Sequence, residues 1–121
     1  MKDNRATFLS LAERVQAGKP DRQHALVFEA WQALKPSYAD PRRVLAMLDA
    51  EAYESAATTL VPEGFWWTVG HVMGPQPGDQ NMFWATCHER DATWPYARPI
   101  AATPALALTA AVLRARAEAL P

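Results

Sequence analysis

Residues 60–72 read LVPEGFWWTVGHV, and the fold turns on what Phe65, Trp66 and Trp67 face. A strand buried on one side alternates apolar with polar residues, and three consecutive aromatics break that alternation. A sheet covered by helices on both sides needs apolar side chains on both faces of its strands. On that reading Phe65 and Trp67 face one helical layer and Trp66 the other. The competing reading is an exposed aromatic ligand surface, but clustered Trp in so small a domain is more often core. Truncating Trp67 to Ala is then expected to cost about 3–5 kcal/mol through the cavity it leaves.

Working outward, Pro62-Glu63-Gly64 punctuates the start of this strand, and a second strand is expected from Asn81 or Met82 to Glu89. The turn-rich segment MGPQPGDQ separates the two, which predicts an antiparallel hairpin with a long tip. In the second strand Phe83, Ala85 and Cys87 share one face, and Trp84, Thr86 and His88 the other. The proline-broken DATWPYARPIAA leaves room for a short edge strand near residues 96–100 at most.

Helices flank the hairpin. Asp3 or Asn4 caps a helix whose stripe is Phe8, Leu11, Ala12 and Val15, stopped by Gly18-Lys19-Pro20. Asp21 is placed to cap a second, with Val27, Ala30, Trp31 and Leu34 at helical spacing up to Lys35-Pro36. Asp40-Pro41 is a cap followed by proline at the first helical position. Residues 44–60 then read either as one helix or as an irregular piece and a helix from Asp49. Thr103-Pro104 opens the last helix, with Leu106, Ala110 and Leu113 on a stripe widened by Leu108 and Val112. The expected core is Phe8, Leu11, Val15, Trp31, Leu60, Phe65, Trp67, Phe83, Leu106 and Leu113. The fold class expected is α+β, a small antiparallel sheet sandwiched between helices in α-β-α layers, as one domain over residues 1–121.

The chain of 121 residues is 50% hydrophobic, enough for a single core. Twelve Lys and Arg against 13 Asp and Glu give a formal charge of −1, so no global field draws the protein to nucleic acid or anionic lipid. A single cysteine, Cys87, excludes an internal disulfide framework and a multi-cysteine zinc site and fits a reducing compartment. The opening MKDNRATFLSLAERV is charged and amphipathic, unlike a signal peptide, and residues 99–113 are too short an uncharged stretch to span a bilayer. A soluble protein of the host-cell cytoplasm is the expectation.

Three stretches carry a family resemblance. ATTLVPEGFWW in the middle of the chain, AATPALALTAAVLRARAE near its end and SLAERVQAGKPDRQ near its start resemble the phage ABA sandwich domain, a group of small phage and prophage proteins. The resemblance implies an α-β-α layered fold. It brings no established activity and no catalytic residues. Ser55 stands where such proteins often have an acidic residue, and residues 42–48 and the tip 73–81 have no clear counterpart.

A direct search for chemistry finds few groups. His24, His71, His88, Cys87, Glu89 and Asp91 are the candidates for metal or acid–base work, and His71 and His88 are potential neighbours across the hairpin. No His-x-x-x-His, His-Glu-x-x-His or Cys-x-x-Cys spacing joins them, so no metal and no cofactor is expected. Cys87 and His88 point to opposite faces of a strand, which rules them out as a nucleophile pair. The basic pieces Arg42-Arg43, Arg90 with Arg98, and Arg114 with Arg116 form no single stripe, which disfavours nucleic acid.

Function is therefore expected to be protein binding by a phage or prophage accessory factor, with a host or phage protein as partner. A stoichiometric, anti-CRISPR-like inhibitor of a host defence system is one form of it. The alternatives are a minor virion or assembly component and an enzyme with an unrecognised site; a homo-oligomer is compatible with any of them. The binding surface is expected at the tip 73–81 and the loop 91–99, where Pro and Gly keep the chain out of the sheet. Trp94, Tyr96 and Arg98 supply hot-spot residue types there, and Asp79 and Asp91 add charge for a basic partner. The competing role for Trp94 and Tyr96 is to cover a sheet edge.

Overall fold

The last helix is the axis of the molecule, as a computed structural model describing residues 4–35, 40–72, 82–91 and 98–119 shows. Helix α5 (Pro104–Ala119) buries residues on every side, among them Ala105, Leu106, Leu108, Thr109, Leu113 and Ala117. A helix apolar all round is a buried helix, and α5 is enclosed by α1 (Asn4–Gln16), α2 (Gln23–Leu34), α4 (Tyr53–Thr58) and a sheet. Its alanines are what let those neighbours come close. The stripe expected from Leu106, Ala110 and Leu113, even widened by Leu108 and Val112, understates it. Thr103 begins the helix as its sequence predicts, its Oγ1 accepting from the Leu106 N–H at 3.1 Å.

The sheet has three antiparallel strands in the order β1-β2-β3: β1 (Phe65–His71), β2 (Phe83–Glu89) and β3 (Ile100–Ala101). Phe65 pairs with Glu89 and His71 with Phe83, so β1 and β2 form the expected hairpin without a bulge. Helices packed against a small antiparallel sheet make this an α+β fold. Ala85, Cys87 and Ala101 lie buried on the side turned to α5, and Phe65, Val69 and Phe83 pack against the same core.

The short elements follow local chemistry. Asp40 caps α3 (Pro41–Asp49) by accepting from the Arg42 N–H at 2.9 Å, with Pro41 at the first position. Residues 44–60 are neither one helix nor a helix from Asp49. Glu51 adopts φ 60°, Ala52 N–H donates to Met47 O and Glu51 N–H to Leu48 O, a Schellman stop between α3 and α4. Asp21 does not cap α2, because residues Pro20–Arg22 form a single 3-10 turn and Arg22 precedes the helix without a side-chain cap. Lys35 ends α2 in the left-handed region, φ 45°.

Of the expected core, Phe8, Leu11, Val15, Leu60, Leu106 and Leu113 are buried, and Trp31, Phe65 and Phe83 are partly so. Trp67 is a correction: it is 45% exposed. It points to the helical side but from the edge strand, beside a cleft of about 220 Å³ lined also by Glu54, Ser55, Thr58 and Leu108. Trp66 is a second correction, being 56% exposed on the opposite face, where the expected second helical layer does not cover it.

Candidate functional site

The face of the sheet turned away from α5 carries Trp66, Thr68 and Gly70 from β1, Trp84, Thr86 and His88 from β2, and Ile100 from β3. Their positions follow from register. Trp66 lies opposite His88, Thr68 opposite Thr86, Gly70 opposite Trp84, and Trp84 opposite Ile100. The absence of a side chain at Gly70 decides how Trp84 lies. A Cβ there would fall within the Trp84 indole, so the ring rests flat across the neighbouring strand.

Two guanidinium groups cap this aromatic row. Arg98 sits over Trp84, 4.1 Å from the ring centroid, and Arg90 over Trp66 at 5.8 Å. The edge of His88 meets Trp66 at 6.3 Å between centroids and 72° between planes. Each cation gains from the negative face of its indole, which holds an otherwise mobile side chain flat against the sheet. Ile100, 45% exposed, extends the apolar part. A shallow recess of about 390 Å³ opens at the Arg98 end beside His71, Val72, Trp84 and Ile100.

Of the binding residues expected from the sequence, Arg98 belongs to this face. Asp91 is exposed and follows the far end of β2, about 20 Å from the Trp84 end at strand rise. Asp79, Trp94 and Tyr96 lie outside the described residues. Sequence reasoning passed over Trp84 as a binding residue, kept Trp66 only in the competing reading of an aromatic surface, and weighed Arg90 only as a basic piece with Arg98. The signal available was the parity of β2, which sets Trp84, Thr86 and His88 apart from the small residues Ala85 and Cys87.

The chemistry of the remaining candidates is plain. His71 stacks on Phe83 at 4.8 Å and His88 pairs across from Trp66, so the two histidines sit at opposite ends of the hairpin on opposite faces, not as neighbours. His88 Nδ1 is 2.9 Å from the Glu89 carbonyl oxygen. Cys87 is buried under α5, and burial pushes its thiol from 9.0 up to about 12, leaving no thiolate nucleophile near neutral pH. Among the described residues no group of three His, Cys, Asp or Glu side chains converges as metal ligands do. His24 Nε2 lies 3.0 Å from Asp49 Oδ1 and ties α2 to α3. Arg114 donates from Nε to Gln16 Oε1 at 2.9 Å, pinning α5 to α1 rather than serving a basic stripe with Arg116. Arg43 lines a cleft of about 380 Å³ between α3 and α4 with Asp40, Met47, Ser55 and Thr58, a mixed lining without a buried charge. Among the described residues no helix is long and apolar enough to cross a membrane. In comparison with known proteins, the chain matches no family, no curated protein and no solved structure.

Proposed function

We propose that the protein acts by binding another protein through the face of its sheet that no described helix covers, as an accessory factor of a phage or prophage. The supporting observation is the row Arg90–Trp66 and Arg98–Trp84, two arginine-capped indoles of the residue types that dominate binding hot spots. Between them the face carries threonines, Gly70, His88 and Ile100, with no carboxylate on its strand positions. That charge distribution suits an acidic patch on the partner. Stoichiometric inhibition of a host defence system is the form this binding takes in our reading; the phage assignment rests on the sequence resemblance alone.

The guanidinium groups already occupy indole faces that nucleotide bases would stack on, which favours a protein over single-stranded nucleic acid. Affinity capture from infected cells with the tagged protein tests the reading. One protein is expected in near-stoichiometric yield, and Arg90→Ala/Arg98→Ala is expected to lose it at an unchanged melting temperature. Equal capture by the double variant would place the site elsewhere. Recovery in purified virions would favour an assembly role, retention on single-stranded DNA that falls steeply with salt would favour nucleic acid, and turnover of any substrate would revive an enzyme.

A further inference from the structure

The outer edge of β1 at Trp67 and Val69 is built to accept another strand. The order β1-β2-β3 leaves β1 (FWWTVGH) at the margin of the sheet, with no further strand beside it among the described residues. Backbone parity shows which groups point outward. The Arg90 N–H donates to Gly64 O at 2.8 Å and the Val72 N–H to Met82 O at 3.0 Å. Bonded pairs recur every second residue in an antiparallel ladder, so Trp66, Thr68 and Gly70 turn their backbone to β2. Trp67 and Val69 turn theirs to the open edge, where no described residue meets them.

Edges of this kind are ordinarily protected by Lys, Pro, a bulge or an inward charge. Phe65–His71 has none of these: its pairing is continuous and His71 is its only ionisable residue. We propose that this edge pairs antiparallel with β1 of a second copy of the chain, about a twofold axis at Thr68. This inference goes beyond the proposed function and does not depend on it.

The occupant is a second copy because the strand is complementary to itself. With the axis at Thr68, the five central residues overlap. Trp66 falls opposite Gly70 and Trp67 opposite Val69. Each bulky aromatic meets a smaller residue, an aromatic meets a β-branched side chain at Trp67 and Val69, and no like charges oppose. Trp67 and Val69 exchange four backbone hydrogen bonds across the axis. The indoles that gain cover are Trp66 and Trp67, the two exposed ones among the described residues. One strand pair buries less than the roughly 800 Å² per partner of a stable interface, so the dimer dissociates reversibly on dilution. It joins two sheets into one of six strands and sets the two Arg–Trp faces side by side.

Sedimentation velocity of the full chain from about 1 to 200 µM, a span bracketing micromolar dissociation constants, is expected to show a monomer–dimer shift. Thr68→Lys sets two ammonium groups against each other at the axis and should raise the dissociation constant at least about tenfold. Its circular dichroism should be unchanged, because Thr68 is exposed and keeps its backbone bonds. Thr68→Cys should form an intermolecular disulfide on mild oxidation. Non-bonded antiparallel pairs bring Cα atoms to about 4.5 Å, within disulfide range. Trp66→Cys, which is not opposite itself, should cross-link far less. A wild-type protein that stays monomeric throughout, a dimer indifferent to Thr68→Lys, or equal cross-linking of the two cysteine variants overturns the proposal; binding of an extended peptide by a persistent monomer would show that the edge serves a different partner.

Discussion

On the side of the sheet turned to α5 the buried residues are Ala85, Cys87 and Ala101, whereas the opposite side carries Trp66, Trp84, His88 and Ile100. The fully buried positions under α5 are small, while the larger Phe65, Val69 and Phe83 on the same side are only partly covered. The contrast follows from α5, whose own alanines bring its backbone close to the middle of β2 and leave room there for little more than a methyl or a thiol. The bulky Trp66 and Trp84 stand on the opposite side, where no described helix competes for the space. Aromatic residues at such positions add little to folding, so their presence points to recognition. A count of hydrophobic residues cannot tell these two environments apart, but a measurement on each face can.

The largest contrast concerns thiol chemistry. Cys87, with its pKa raised from 9.0 to about 12, should alkylate about a thousand-fold more slowly near pH 8 than a free thiol, since the thiolate reacts. A cysteine placed on the open face by Thr86→Cys should react far faster, and comparable rates would mean that α5 does not seal its side. The sign of the linked pH effect is fixed as well. The folded chain holds the neutral thiol, so the stabilisation is complete below pH 9 and is lost as pH rises through about 12. Urea unfolding across that range reads it.

Next in size is the interior itself. Leu113→Ala removes a fully buried side chain of α5 and should cost about 2–5 kcal/mol by urea denaturation. A smaller loss would show that α5 is not the axis of the core. On the open face, Gly70→Val drives a branched side chain into the Trp84 indole and should cost about 1–3 kcal/mol, with a shift in tryptophan fluorescence. An unchanged emission spectrum would mean that Trp84 does not lie across Gly70.

Much of this architecture could be read from the chain. Asp40-Pro41 and Thr103-Pro104 announce helix starts because a side-chain oxygen and a fixed proline φ act locally, and both caps form. The hairpin was equally readable from alternation in β2. The stop at Glu51 was not, because a glutamate gives no advance sign of a left-handed backbone, which is set there by the Schellman bonds and the packing of α3 on α4. The run FWW misled for a different reason. Consecutive aromatics state that both faces of β1 are apolar, but only the tertiary arrangement states which face receives a helix. Arg98 was singled out by its type, while the indole it covers, Trp84, required the register that places Gly70 beneath the ring.

The central claim is that the aromatic row on the open face serves binding rather than folding, and Trp66→Ala tests it most directly. Equilibrium urea unfolding of this variant should show a loss of about 1 kcal/mol or less, because the side chain is 56% exposed and meets no described helix. A loss of about 3–5 kcal/mol, the cost of truncating a core aromatic, would contradict the account and return Trp66 to a buried layer.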